Sequence, residues 1–243
     1  MKKIIFKDEV WAIVTARKNS KSIKRKNIVK IKGKELILYS FEELRKIKNI
    51  VHKVITSTDD EKIKKMCKRL NYDAFHRNKL LSGDFTNSVD VVLDVLSKSL
   101  NKYKFLPKIF LLIQPTSIFL RSSQIIKIVK KLNQRSKFKS AQTIIRVPHQ
   151  FHAFNQRKFV NKQTSFMFEK KRMMMHNKQT KPRTFAYGNL IACKTKYFIK
   201  SKNFFIKPSY GLHISNIYGF DVDNSYDLKV INQILNKSVK SYE

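Results

Sequence analysis

The chain has 243 residues, of which 42% are hydrophobic, with 18 Phe and 9 Tyr; this length allows one domain with a full core, and this apolar content excludes a disordered chain. The formal net charge of +35 makes nucleic acid the first partner to consider. Every third of the chain is strongly basic, however, so a bias of the whole composition explains the charge at least as well as a dedicated binding surface.

Predicted elements alternate along the chain between apolar runs and helical spacings. Such alternation indicates an α/β fold with a mainly parallel sheet covered on both faces. Strands are predicted at 10–14, 52–60, 108–116, 140–145 and 188–199, and amphipathic helices at 36–50, 59–71, 88–100, 122–132 and 224–236, with Asn87 or Ser88 as the cap of the third helix.

Residues 146–185 differ from the rest because polar and aromatic residues mix there without a sustained period. We predict a single domain, 1–243, with this segment as an inserted arm. The arm is expected to lie near the mouth of the active site or to form a contact between subunits.

Cysteine content and apolar runs bear on the compartment. Cys67 and Cys193 are isolated in the sequence, which excludes a metal-type cysteine pair and a disulfide framework. The simplest interpretation is a reducing, cytoplasmic setting. The N-terminal apolar run, 4–6, is too short for a signal-peptide core, and no stretch reaches membrane-spanning length, so we expect a soluble protein without membrane contact.

Polar residues that follow the predicted strands are the candidates for ligand binding, because ligands of parallel α/β proteins bind beyond the carboxyl ends of the strands. These residues are Arg17, Ser20, Lys21, Lys26 and Asn27 after the first strand, Thr58, Asp59 and Asp60 after the second, and Gln114, Thr116 and Ser117 after the third.

A pair of carboxylates lies near the end of the chain. Asp221 and Asp223 are two residues apart in an extended segment, so their side chains point to the same side. Such a pair can bind a hard cation such as Mg²⁺, which in turn bridges phosphate oxygens. The same residues also suit a turn that opens the last helix. The two interpretations are compatible.

The order of several motifs resembles that of the CMP-N-acetylneuraminate synthetases, the acylneuraminate cytidylyltransferases. The resemblance runs from about residue 10 to residue 235, and its motifs are specific in combination rather than singly. They are ARKNSKSIKRKN (16–27), STDDEKI (57–63), HRNKLLSGDFTNSVDVVLDVL (76–96), LLIQPTSIFLR (111–121), GNLIAC (188–193) and FDVDNSYDL (220–228).

This resemblance implies a three-layer α/β/α nucleotidyltransferase fold, a homodimer, and transfer of CMP from CTP to a nine-carbon keto-sugar acid. It assigns the triphosphate to Arg17, Lys21, Ser20 and Lys26, the nucleoside to Asn27, Arg77 and Ser88, the sugar acid to Gln114 and Asn189, and Mg²⁺ to Asp221 and Asp223. Cationic side chains suit a site that must neutralise a triphosphate before and during transfer.

Alternatives remain at this point. Within the class, the acceptor is a sialic-type acid or, instead, pseudaminic, legionaminic or 3-deoxy-octulosonic acid. From another class, a basic nucleic-acid-binding protein would show steeply salt-dependent affinity, although the even spread of charge does not favour specific nucleic-acid binding. Ser22 and Leu190 stand where the family usually has glycine, so a third hypothesis is a member that has lost catalysis.

Overall fold

A seven-stranded sheet lies at the centre of the computed structural model, which describes residues 4–133 and 137–236. The strands are β1 (Phe6–Thr15), β2 (Lys30–Ile31), β3 (Lys34–Glu35), β4 (Lys53–Thr58), β5 (Asp73–His76), β6 (Leu106–Ile113), β7 (Ser140–Arg146), β8 (Arg157–Val160), β9 (Gln163–Phe166), β10 (Phe185–Lys194) and β11 (Ser209–His213). The helices are α1 (Leu36–Arg45), α2 (Glu61–Arg69), α3 (Ser88–Tyr103), α4 (Ser122–Asn133), α5 (Glu169–Met174), α6 (Thr195–Ser201) and α7 (Ser225–Asn236).

The order of strands in the central sheet is β11-β7-β10-β6-β1-β4-β5. Only β10 pairs antiparallel with its neighbours, and the other pairs are parallel. Val14 of β1 lies level with Thr56 of β4 and Ile113 of β6. The three central strands therefore end together, and the residues that follow them share one edge of the sheet.

Helices cover both faces of the sheet, which confirms the predicted three-layer α/β/α architecture. Side chains of β1 alternate between the faces: Ala12 and Val14 pack with α1, α2 and α4, whereas Trp11 and Ile13 pack with α3 and α6. The unbroken apolar run of β1 follows from this burial on both sides.

Two predicted elements end five residues earlier in the structure than predicted. The first helix stops at Arg45 rather than at residue 50, but Ile47 stays buried because turns bonded from Ile47 to Leu44 and from Ile50 to Ile47 continue the apolar spacing. The strand predicted to run to residue 199 was wrong beyond Lys194, where α6 begins. Phe198 sits on the buried side of that helix, with its ring 4.9 Å from that of Phe110.

The arm, residues 146–185, contains a β8–β9 hairpin and the short helix α5. Its ends meet, because Arg146 of β7 pairs with Phe185 of β10. The hairpin was not predicted because β8 is exposed on both faces and so carries no alternation of apolar and polar residues. The short strands β5 and β11 at the edges of the sheet were also not predicted.

A small apolar cluster joins the last helix to the loop after β6. Ile118, Phe119, Val222 and Ile231 are almost completely buried against one another. The Val222 amide also donates to the Thr116 carbonyl at 3.1 Å. Packing thus fixes the segment that carries Asp221 and Asp223 beside the end of β6. Within the residues that the structure describes, no helix has both the length and the apolar character needed to span a membrane.

The loop after β1 is anchored to the start of α2. Arg25 has a positive φ of 53°, and its guanidinium contacts both carboxylate oxygens of Asp60 at 2.8 Å. Asp60 also caps α2 by accepting from the Lys62 amide at 2.8 Å. Burial raises the pKa of Asp60, but these hydrogen bonds outweigh it and hold the pKa below its usual range.

Replacing Asp60 with Asn is expected to lower the free energy of unfolding by about 2 kcal/mol at pH 7, because Arg25 loses its charged partner. The folded pKa of Asp60 lies below the unfolded one, so its contribution is complete above about pH 4 and disappears as pH falls through the folded pKa. Urea unfolding should therefore show a gap between wild type and Asp60→Asn that narrows from pH 7 towards pH 3.

The neighbouring Glu61→Gln provides the matched control. Glu61 carries an exposed pair with Lys64, so its loss should leave the free energy of unfolding almost unchanged. A gap for Asp60→Asn that is equally wide at both pH values would contradict the assigned linkage.

Candidate active site

A cavity of about 430 Å³ opens at the edge of the sheet where β1, β4 and β6 end. All predicted site residues except Asn189 line it, namely Arg17, Ser20, Lys21, Lys26, Asn27, Arg77, Ser88, Gln114, Asp221 and Asp223. The geometry therefore unites residues that lie more than two hundred positions apart in the sequence. It fixes their location; their individual roles stay predictions.

The cationic side of the cavity is built by the loop after β1. Asn27 is largely buried, and its Nδ2 donates to the Arg17 carbonyl at 2.8 Å. The Lys18 amide donates to Asp59 Oδ1 at 2.6 Å. These two bonds fold the loop back on itself and against the end of β4, so that the side chains of Arg17 and Lys21 reach the cavity.

Asp84 bridges these two cations and was not predicted as a site residue. Its Oδ1 lies 2.9 Å from Arg17 Nη1, and its Oδ2 lies 3.0 Å from Lys21 Nζ. Hydrogen bonds from Lys21 and Arg17 hold the pKa of Asp84 below its usual range. The signal that could have identified Asp84 is an acidic residue between Arg77 and Ser88 in a strongly basic chain. Gly83 and Thr86 are further lining residues that the sequence did not single out, whereas Thr116, a candidate after the third predicted strand, also lines the cavity.

The acidic side of the cavity comes from the segment before α7. Asp221 Oδ1 accepts from Ser117 Oγ at 2.8 Å. Asp223 is exposed, and its Oδ1 lies 3.3 Å from Lys26 Nζ, which also donates to the Val222 carbonyl at 3.0 Å. Burial, reinforced by the Asp223 carboxylate, raises the pKa of Asp221 against the effect of Ser117. A bound cation would offset this cost of burying a carboxylate.

The donor set of this carboxylate pair fits Mg²⁺. No group of three or more His, Cys, Asp or Glu residues that could hold a metal occurs within 4–133 and 137–236. Magnesium commonly keeps several waters and binds through one or two carboxylates plus substrate phosphates. Asp221 and Asp223 beside a cationic loop are therefore a suitable protein contribution to such a site.

Arg77 and Ser88 lie on the third side of the cavity. Arg77 is 6% exposed, its Nε donates to the Leu81 carbonyl at 2.6 Å, and burial lowers its pKa. Asn87, one of the two predicted caps, is the cap of α3, since its Oδ1 accepts from the Val89 amide at 2.9 Å. The hydroxyl of Ser88 is thereby left free of capping and lies at the wall of the cavity.

The two predicted sugar-acid contacts, Gln114 and Asn189, are separated in the structure. Gln114 follows β6 and lines the cavity. Asn189 is 1% exposed; its Nδ2 donates to Gln124 Oε1 at 3.0 Å and to the Tyr218 carbonyl at 2.8 Å, and its Oδ1 accepts from Thr143. These bonds use its amide to join β10 to its neighbours, so the structure does not bring Asn189 into the cavity.

The two positions that depart from the family pattern also lie in different places. Ser22 lines the cavity with the rest of the loop after β1. Leu190 is completely buried in the apolar layer under α1, α2 and α4. Leu190 thus serves the core rather than the wall of the cavity.

The sequence of this chain is similar to those of known proteins. A family model described as Cytidylyltransferase matches residues 11–227. Pseudaminic acid cytidylyltransferase of Campylobacter jejuni is 40% identical over 85 residues, which are 35% of this chain and 36% of that protein. N-acylneuraminate cytidylyltransferase of Escherichia coli is 28% identical over 138 residues, 57% of this chain and 32% of that protein. The matched segments span about a third of the length of these curated relatives.

Structural similarity extends over nearly the whole chain. A solved structure of CMP:2-keto-3-deoxy-manno-octonic acid synthetase complexed with CTP superposes with a TM-score of 0.68 at 14% identity, covering 94% of this chain and 98% of that one. At this identity the likeness concerns the fold alone. The family model, in contrast, matches the sequence itself from β1 through the cationic loop to the paired carboxylates. The chain therefore belongs to the cytidylyltransferase family.

Proposed function

We propose that this protein transfers CMP from CTP to the anomeric hydroxyl of a nonulosonic acid and releases pyrophosphate. The observation that carries the proposal is the meeting of Arg17 and Lys21 with Asp221 and Asp223 around one cavity. A triphosphate needs cations, and a magnesium ion on that triphosphate needs carboxylates. Membership of the cytidylyltransferase family supports CTP as the donor.

The lining residues suggest how the donor would lie. Arg17, Lys21, Ser20 and Lys26 would bind the phosphates, since they follow β1 on the cationic side. The cytidine would extend towards Asn27, Arg77 and Ser88. Gln114 would face the sugar acid. Asn189 would act on the acceptor side only indirectly, by holding β10 through its bond to Gln124.

Asp221 and Asp223 would hold Mg²⁺ between the protein and the phosphates. When bound, this ion would supply charge neutralisation on the phosphate oxygens and on the leaving pyrophosphate. Lys26 contacts Asp223 and lines the same cavity. It would therefore also be within reach of phosphates that bind there.

The reaction exchanges one phosphorus–oxygen bond for another. The anomeric hydroxyl oxygen would attack the α-phosphorus in line and lose its proton to solvent, and the bond from that phosphorus to the bridging oxygen of the β-phosphate would break, which releases pyrophosphate. Arg17 and Lys21 would neutralise the charge that moves onto pyrophosphate. Holding the two substrates in line in one cavity supplies much of the acceleration, and no covalent enzyme intermediate is needed.

Asp223→Ala is expected to lower pyrophosphate release from CTP and a nonulosonic acid at least a hundredfold, about 2.7 kcal/mol of barrier. Omitting magnesium should reduce the wild-type rate at least as strongly. The rate is measured by coupled phosphate detection.

Asp8→Ala is the matched control for that variant. Asp8 and Asp223 are both 77% exposed and each pairs with one lysine, but Asp8 lies at the opposite end of β1. Equal rates for wild type and Asp223→Ala would refute the metal assignment. CTP binding without turnover on any acceptor would favour a member that has lost catalysis, and steeply salt-dependent nucleic-acid binding without CTP binding would favour the nucleic-acid alternative.

The acceptor is tested with a panel of N-acetylneuraminic, pseudaminic, legionaminic and 3-deoxy-octulosonic acids. Pseudaminic acid comes first, because a relative that bears its name is 40% identical over the matched segment. A nine-carbon acid should exceed the eight-carbon acid in kcat/KM at least tenfold, since a shorter acceptor leaves polar groups of the site unpaired. A preference for the eight-carbon acid would instead assign the enzyme to octulosonate activation.

We also propose that two copies associate through the arm, and that the enzyme works in the cytoplasm, where its two buried free thiols suit a reducing setting. The arm exposes several large apolar side chains, which is typical of an interaction surface. They are Phe159, Val160, Met167, Phe168, Met173 and Met174.

Sedimentation should give twice the mass of one chain for wild type and the mass of one chain for the double variant Phe159→Asp, Met174→Asp. These residues are 72% and 79% exposed, so the substitutions spare the core while placing charges in the interface. Phe205→Asp, at an exposed phenylalanine outside the arm, should remain dimeric. A double variant that still dimerises would place the interface elsewhere.

A further inference from the structure

We propose that Asp84 is a built-in competitor of the triphosphate: it pairs with Arg17 and Lys21, and binding of the substrate displaces it. This inference rests on the proposed function, because it names what happens at the phosphate side of the same cavity.

The contact of Asp84 resembles that expected of a phosphate. Each carboxylate oxygen contacts a different cation. Oδ1 lies 2.9 Å from Arg17 Nη1, and Oδ2 lies 3.0 Å from Lys21 Nζ. Carboxylate and phosphate oxygens use the same donors of arginine and lysine. A phosphate that reaches both cations would lie against the negative carboxylate of Asp84, so the two anions compete for this place.

The segment that carries Asp84 is weakly attached to the body of the protein. Phe85 is 100% exposed and Leu80 is 86% exposed, so neither anchors the segment by apolar burial. Besides the Asp84 pairs, Arg17 donates to the Ser82 carbonyl at 3.1 Å and Arg77 donates to the Leu81 carbonyl at 2.6 Å. Two of the side chains that hold this segment are thus the ones assigned to the nucleotide.

The displacement of Asp84 would weaken the binding of small anions more than the binding of polyanions. A chain with a net charge of +35 attracts small anions non-specifically. A single phosphate would have to displace both pairs of Asp84 with few contacts of its own, whereas a triphosphate can reach Arg17 and Lys21 together. Asp84 would thereby favour the polyanionic substrate and help to expel pyrophosphate after transfer.

Calorimetry with inorganic tripolyphosphate and with CTP tests the proposal directly. Asp84→Asn should bind both about five-fold more tightly than wild type, because two exposed ion pairs no longer have to be broken. Asp84→Glu should stay within about two-fold of wild type, since it keeps the charge. Asp8→Asn raises the net charge equally, far from the cavity, and should change nothing. Unchanged or weaker binding by Asp84→Asn would overturn the proposal.

The binding site is verified by repeating Asp84→Asn in an Arg17→Met background, where the gain should shrink because one of the two competed contacts is gone. A full five-fold gain there would show that the effect is not competition for Arg17. The two proposals fail separately. If no acceptor supports pyrophosphate release, the tripolyphosphate result still decides the role of Asp84. If CTP is turned over and Asp84→Asn binds tripolyphosphate like wild type, only the proposal that Asp84 competes with the substrate fails.

Discussion

Opposite charges meet at one edge of a parallel sheet, and the site depends on this single constraint. Because β1, β4 and β6 end level, whatever follows them must share the same small volume. Arg17 and Lys21 follow one strand, and Gln114 follows another. The cations alone would repel one another there. An acid, Asp84, lies between them and offsets part of this repulsion.

The acidic side of the site is positioned by apolar packing rather than by charge. Val222 lies between the two carboxylates and is completely buried with Phe119 and Ile231. Ile118 and Phe119, in the loop after β6, supply the surface on which the carboxylate segment rests. The last helix therefore contributes to the site at a distance, through the cluster it completes.

The sequence predicted the central sheet because strands buried on both faces are apolar without interruption, as in β1. It predicted Arg17, Lys21 and Gln114 as neighbours because polar residues after such strands share one edge, whereas Arg77 and Ser88 were predicted only through the family resemblance. It could not show that the amide of Asn189 is consumed by Gln124 and Thr143, or that Asp84 pairs with Lys21, since these contacts join distant segments. The Tyr-Phe-Ile run of α6 was wrongly predicted as part of a strand for the same reason: its helical state depends on packing with β6.

The reversed strand β10 has a consequence for how such proteins diversify. The arm leaves β7 and re-enters through β10 at adjacent, paired residues, Arg146 and Phe185. The pairing of β7 with β10 closes the sheet at that junction, so the sheet does not depend on the length or the sequence of the arm. An arm of different length or charge would therefore leave the pairing of β7 with β10 unchanged. A change of the partner that the arm contacts would then need no change in the residues that line the cavity.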